Sequence, residues 1–374
     1  MRNSGVSKRY DKIKQKMADK FDVVVALSPE NVLYFGETFI ETQKSLRDRL
    51  AIAVLPLAQD PVMIACIIEE NTVEDEVWIK DKRYYFEFKE SPIQFLVDAL
   101  KERGLAEKRI GIELDYLSAQ YYIELKRLLP DANIQPCTDL FGAIRSIKEP
   151  EEITKLQNAG IATRKAFEKA LAESSPGDLE TDLSKRAARG LIDAGFSSIE
   201  FLVMGTGKRS ILVHGLPQDL PLEAGELGRI DFGGLLKHYN SDLARTFTIG
   251  APNAKHQDVY SRMCKAYIAA IESCKVGVPA NTPFFTAKDC CEKLGLPFAR
   301  VHEGHGLGLT VHEYPMLAPG NGAPLEENMV VCVEHALHLD GYRYHLEDLV
   351  LISAKGPIIL TEPDNFNPGL LLIK

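Results

Sequence analysis

Arg229-Ile230-Asp231-Phe232-Gly233-Gly234, followed by Ser241-Asp242-Leu243-Ala244-Arg245-Thr246-Phe247-Thr248-Ile249, is the stretch that decides the reading of this chain. Both runs have strand-like flanks, and the glycine pair between them predicts a hairpin. An odd spacing of eleven would put Asp231 and Asp242 on opposite faces of one continuous strand, whereas a hairpin brings both carboxylates to one face as neighbours. Like charges held that close repel unless something positive sits between them.

A second pair of acids is built in the same way. Glu334 ends the apolar run Met329 to Val333, and Glu347 lies in His345-Leu346-Glu347-Asp348-Leu349-Val350-Leu351-Ile352, with a turn near Asp340-Gly341 between them. A weak internal repeat relates the two pairs: Pro221-Leu222-Glu223 stands ten residues before Asp231, and Pro324-Leu325-Glu326 begins ten before Glu334. The fourth residue after each proline is Gly225 or Asn328, the two residue types that best tolerate a left-handed turn. A duplicated turn and strand delivering one carboxylate from each half of a pseudo-symmetric sheet accounts for this. The fifth element is Gly304-His305-Gly306-Leu307-Gly308-Leu309-Thr310-Val311-His312-Glu313-Tyr314-Pro315, whose glycines place an imidazole beside a site and offer His312 as a second histidine. Four carboxylates and one imidazole suit two divalent cations, since the charges balance, and two such ions close together activate water and polarise a carbonyl.

Around this constellation the chain reads as an ordinary folded protein. Its 374 residues predict two domains, and 45% apolar with 26% charged residues exclude collagen-like, disordered and disulfide-scaffold classes. A net charge of -9 has the wrong sign for a nucleic-acid partner. The charged start MRNSGVSKRYDKIKQKMADKF lacks the apolar core of a signal peptide, and no stretch approaches a membrane span, so a cytoplasmic protein without a membrane partner is expected. Seven scattered cysteines predict reduced thiols, mostly packed in the core.

The first part reads as α/β: a helix from Ser7 to Lys20, strands at Val23 to Leu27, Ala51 to Leu55 and Val62 to Ile68, a helix near Ile93 to Glu102 and a strand at Ile110 to Glu113. The charged stretch Arg145 to Pro150 precedes a long helical pattern from Glu151 to Glu173, which puts a boundary near Lys148 and gives domains 1–148 and 149–374. The second domain is expected to be α+β, two helices and then mostly strands, and it holds all nine histidines. Gly205-Thr206-Gly207-Lys208 lacks the spacing of a phosphate-binding loop.

At Asp231, Tyr239-Asn240-Ser241-Asp242-Leu243-Ala244-Arg245-Thr246, Gly304-His305-Gly306-Leu307-Gly308-Leu309, Glu334 and Glu347 the chain resembles the pita-bread metallohydrolases, which include methionine aminopeptidase, aminopeptidase P and prolidase. The resemblance extends to His214-Gly215-Leu216-Pro217, to His312 in its Val-His-Glu-x-Pro setting, and to the linker Ile147-Lys148-Glu149-Pro150. It implies an α+β pita-bread catalytic domain after a creatinase-type α/β N-terminal domain. It further implies a metal set of Asp231, Asp242, His305, Glu334 and Glu347, in which Asp231 and Glu347 bridge two ions, Asp242 completes one site, and His305 and Glu334 the other. Glu334 is then also the base, with His214 and His312 on the substrate side. Manganese is the implied ion, with cobalt, zinc and iron as alternatives, in a homodimer that hydrolyses Xaa-Pro bonds at the N-termini of short peptides. A metal-dependent hydrolase or lyase of a small amidine, amide or zwitterion is the alternative.

The sequence also departs from that pattern. Relatives that cut before proline have Glu-Pro-Gly where this chain has Glu334-His335-Ala336, and Arg two residues before the last metal Glu, where it has His345. Arg343, two residues upstream, is the substitute cation for a substrate carboxylate, with His345 as a weaker one. A family histidine four residues before the metal histidine has no counterpart, because His302 is three before His305.

Overall fold

The computed structural model describes residues 4–46, 48–364 and 366–374, and its contacts divide the chain into two compact units, Met1–Arg145 and Ser146–Lys374. In the first unit the opening helix spans Ser4–Met17, ending short of Lys20. Six strands follow: β1 (Val23–Ala26), β2 (Ile52–Pro56), β3 (Val62–Cys66), β4 (Asp81–Tyr85), β5 (Arg109–Ile112) and β6 (Asn133–Pro136), in the order β4-β3-β2-β1-β5-β6. The central strands β1, β2 and β3 are buried at every position, which is why they read as unbroken apolar runs. Helix Pro92–Glu102 covers this sheet with Ile93, Leu96, Val97 and Leu100. The sequence reading missed the helices Pro29–Gly36 and Ala119–Leu128, which are short but are each opened by a serine cap, Ser28 and Ser118.

The second unit is α+β. Its sheet contains β7 (Ser198–Thr206), β8 (Leu227–Leu236), β9 (Tyr239–Asn240), β10 (Leu243–Ile249), β11 (Gly304–Gly306), β12 (Glu313–Met316), β13 (Val330–Leu339) and β14 (Tyr342–Leu351). The main path runs β12-β11-β13-β14-β10-β8-β7, with β9 paired to β8. Four helices accompany it, Pro150–Ala172, Glu180–Asp193, Ala254–Ser273 and Thr282–Lys293, two more than expected. Helix Ala254–Ser273 escaped notice although its Asn253 cap is legible, accepting from the amides of Lys255 and His256.

The internal repeat is structural. Gly225 and Asn328 both adopt left-handed backbone, at φ 89 and 69. Pro221 bridges Leu179 and Pro324 bridges Pro279. The Gly177 amide donates to Leu222 O, and the Gly277 amide to Leu325 O, at 2.9 and 2.8 Å. Each half therefore consists of a helix pair, a tight loop and a turn that feeds one long strand into the shared sheet. The apolar faces of β13 and β14, through Val331, Val333, Leu346 and Val350, pack on Tyr260, Met263 and Tyr267 of helix Ala254–Ser273. The opposite face is left for the polar residues. No helix among the described residues is long and apolar enough to cross a membrane.

Candidate metal centre

Register alone brings the acids together. Asp231 pairs with Ala244 across β8 and β10, Ala244 pairs with Glu347 across β10 and β14, and Glu347 pairs with Glu334 across β14 and β13. Because cross-strand partners share a face, three carboxylates lie on one rung of the sheet. Asp242 stands two residues before Ala244, on the same face, and His305 is the direct partner of Cys332, two residues before Glu334. The tight turn at Asp340-Gly341, both with positive φ, closes the hairpin that sets Glu334 against Glu347.

Two donor clusters result. In one, ligand atoms of Asp242, His305, Cys332 and Glu347 all lie within 4.8 Å of one another; in the other, those of Asp231, His345 and Glu347 do. Glu347 is common to both. Asp242 lies close to His305, its Oδ2 3.8 Å from Nε2. Asp242 Oδ1 and Glu347 Oε1 are buried without a hydrogen-bond partner, an arrangement that costs free energy unless a cation serves them. Burial, and then the charge of Glu347, pushes the Asp231 carboxyl up to about 8. Asp242 and Glu347 are raised well above the usual range, also chiefly by burial and then by neighbouring carboxylates.

The histidine fits the same purpose. His305 Nδ1 lies 3.0 Å from Gly306 O, and a carbonyl only accepts, so Nδ1 carries the proton. Nε2 therefore presents its lone pair to Asp242 and Glu347. Burial lowers the His305 pKa, which favours the neutral, ligating form. Gly304, at φ 142, leaves no room for a side chain: a Cβ there would meet Cys332 O at 1.9 Å. The residues present therefore suit divalent cations.

Glu334 stands apart from the raised acids. Burial opposes its charge, but Arg300 at 3.1 Å and His345 at 3.0 Å hold it well below the usual carboxylate range. His345 Nδ1 faces the Arg229 guanidinium at 3.3 Å; since Arg229 can only donate, Nε2 carries the proton and donates to Glu334 Oε1. His345 is 1% exposed and faces Glu334, and it is absent from the lining of the cavity in front of the acids. That cavity, about 560 Å³, is lined by Asp231, Asp242, His305, Glu334 and Glu347, and also by His214, His312 and Arg343. His312 stacks on His305 with ring centroids 3.8 Å apart.

The cavity holds residues the sequence reading passed over. Arg300 lines it and anchors Glu334 through both carboxylate and backbone oxygen. His302, which the family spacing excludes, is placed there as well, 3.6 Å from Glu334. Behind the sheet, fully buried Arg245 pairs with Asp348 at 2.6 Å and donates to Glu347 O at 2.8 Å, while Tyr267 donates to the same aspartate at 2.7 Å. A charge inside the apolar run Leu243 to Ile249 is the signal that could have revealed this brace.

Comparison with known proteins agrees with this geometry. Residues 154–354 match the model of metallopeptidase family M24, and residues 9–147 match that of the creatinase/prolidase N-terminal domain. The Xaa-Pro dipeptidase of Pyrococcus horikoshii is 31% identical over 262 residues, covering 69% of this chain and 74% of that protein. The Xaa-Pro dipeptidase of Lactobacillus helveticus is 28% identical over 364 residues, covering 95% of this chain and 96% of its own. The solved structure of the prolidase from Pyrococcus horikoshii superposes with a TM-score of 0.83 at 25% identity, covering 96% of this chain and 99% of that one. The chain thus belongs to metallopeptidase family M24, a hydrolytic peptidase of the pita-bread fold with a creatinase/prolidase N-terminal domain.

Proposed function

We propose that this chain is a two-ion peptidase that hydrolyses the Xaa-Pro bond at the N-terminus of short peptides, with the catalytic work done in the domain after residue 148. The observation that carries the reading is the convergence of Asp231, Asp242, His305, Glu334 and Glu347 on one cavity wall, with buried carboxylate oxygens of Asp242 and Glu347 left without partners. Two relatives named Xaa-Pro dipeptidase support the bond specificity.

Asp242 and His305 would hold one ion, Asp231 the other, and Glu347, shared by both clusters, would bridge them. The ions supply Lewis acidity toward a carbonyl and toward water. Glu334, kept ionised by Arg300 and His345, takes the proton from the attacking water and passes it to the leaving proline nitrogen. His214 and His312, both at the cavity, donate hydrogen bonds to the scissile carbonyl oxygen as charge develops on it. Pro297, Val311, Ala336 and Leu337 give the cavity the apolar wall a pyrrolidine ring requires. A homodimer in the cytoplasm completes the proposal.

The test is a panel of Xaa-Pro dipeptides and tripeptides, run beside amidines and betaines, on protein reconstituted with manganese, cobalt or zinc. Close to two ions per chain by elemental analysis and turnover of an Xaa-Pro substrate are expected. A filled site that turns over only an amidine or betaine would replace the peptidase by the small-molecule hydrolase or lyase.

A further inference from the structure

Cys264, Cys274 and Cys291 pack in the apolar core of the second unit, as do Val331 and Val333. Cys332, between those valines, points the other way. It is fully buried and opposite His305 on β11. Its sulfur belongs to the cluster, no wider than 4.8 Å, that also contains donor atoms of Asp242, His305 and Glu347. A tetrahedral ion with ligands at about 2.0–2.3 Å sets them roughly 3.3–3.8 Å apart, so side-chain movements of about an ångström would close the set. Asp242 Oδ1 and Glu347 Oε1, buried in the same cluster, have no hydrogen-bond partner. As a mere hydrogen-bond partner for a carboxylate a thiol is poor, because S–H is a weak donor.

We propose that Cys332 is a sulfur ligand to the ion held by Asp242, His305 and Glu347, and that this site therefore takes Zn²⁺, Co²⁺ or Fe²⁺ in preference to Mn²⁺. The inference rests on the two-ion reading above. Coordination replaces the S–H proton by the ion, and the proton leaves to solvent. Thiolate is a soft donor, and an oxygen, nitrogen and sulfur set selects against manganese, which suits oxygen ligands.

The experiment loads metal-stripped, full-length protein with Co²⁺, measures bound cobalt by elemental analysis and records the near-ultraviolet spectrum. A sulfur-to-cobalt charge-transfer band is expected in the parent protein. It should be absent from Cys332→Ser, which retains bound cobalt but loses roughly ten- to hundredfold of its preference for Zn²⁺ over Mn²⁺, the range seen when groups supporting a metal are removed. Bound cobalt without the band, or a band that survives Cys332→Ser, overturns the assignment. Failure to bind cobalt at all overturns the two-ion reading itself and with it this inference. Should Cys332→Ser not fold, X-ray absorption on the zinc-loaded parent protein decides: a sulfur neighbour at about 2.3 Å supports the ligand, and its absence overturns it.

Discussion

Glu334 is held by Arg300 at 3.1 Å and His345 at 3.0 Å, while Asp242 and Glu347 each keep a buried oxygen without a hydrogen-bond partner and Asp231 has Arg229 at 3.5 Å. That contrast separates a carboxylate that is already ionised, as a base must be, from carboxylates that need a cation to shed their protons. Glu334→Ala is therefore expected to lower kcat by at least about 10²- to 10⁴-fold, the usual contribution of a general base, with an unchanged circular dichroism spectrum. Turnover near the parent rate would remove Glu334 from the mechanism. The site residues legible in the sequence, Asp231, Asp242, His305, Glu334 and Glu347, are those whose neighbours in the chain also form a recognisable pattern. The partners of Arg300, Cys332 and His345 were not legible because they lie far away in sequence: Glu334 for Arg300, His305 for Cys332, Arg229 for His345.

Between residues and molecule, β11 is the most exacting element. It is three residues long, Gly304–Gly306, and is held between β12 and β13 with a register irregularity at His305 and Gly306. A Cβ on Gly304 would lie 1.9 Å from Cys332 O and one on Gly306 would lie 2.3 Å from Tyr314 O. Gly304→Ala adds a backbone conformation at φ 142 that side chains rarely adopt, a strain of about 1–3 kcal/mol before the clash is counted. The expected outcome is a lowered Tm together with loss of bound metal as His305 is displaced; a variant with full metal content and parent Tm would show that β11 has slack this packing denies. The four strands that carry the acids were read from their apolar runs, since alternation and the turn residues Gly225, Asn328 and Gly341 punctuate them. The helices Ala254–Ser273 and Thr282–Lys293 were not, although Val259, Met263, Ala266, Ala270 and their neighbours form an apolar stripe at helical spacing along the first, a signal the reading passed over.

For the molecule as a whole, the cluster of raised carboxylates couples folding to metal and pH. Asp231 is near 8 in the folded chain against an ordinary 3.8, and Asp242 and Glu347 move the same way, so between those values these acids hold more protons in the metal-free folded protein than in the unfolded one, and stability falls with pH on their account. Buried histidines such as His305, His345 and His302 are lowered from 6.5 and oppose this slope below that value, and Glu334, held below 4.5, adds nothing above it. Stability of chelator-stripped protein should accordingly fall as pH rises from about 6.5 to about 8, and ions added at pH 8 should restore it. A stripped protein whose Tm rises steadily to pH 8 would mean that the acids do not share their charge. The remaining question is which peptide length the cavity accepts. A dipeptide ending in proline brings its free carboxylate into the cavity and needs a cation to meet it. His345, at the position where relatives have arginine, has both ring nitrogens engaged by Arg229 and Glu334. Arg300 is committed to Glu334, and Arg343, 7% exposed, gives Nη1 to His338 at 2.9 Å and has its Nε buried. A tripeptide carries its carboxylate one residue further from these engaged groups. A hydrogen bond to a charged group contributes about 1.5–3 kcal/mol, so Xaa-Pro-Yaa substrates should exceed Xaa-Pro dipeptides in kcat/KM by roughly ten- to hundredfold. A dipeptide preference that disappears in Arg343→Ala would assign the carboxylate to Arg343 instead, and one that survives it would place that contact on a group outside Arg300, Arg343 and His345 once the corresponding variants are measured.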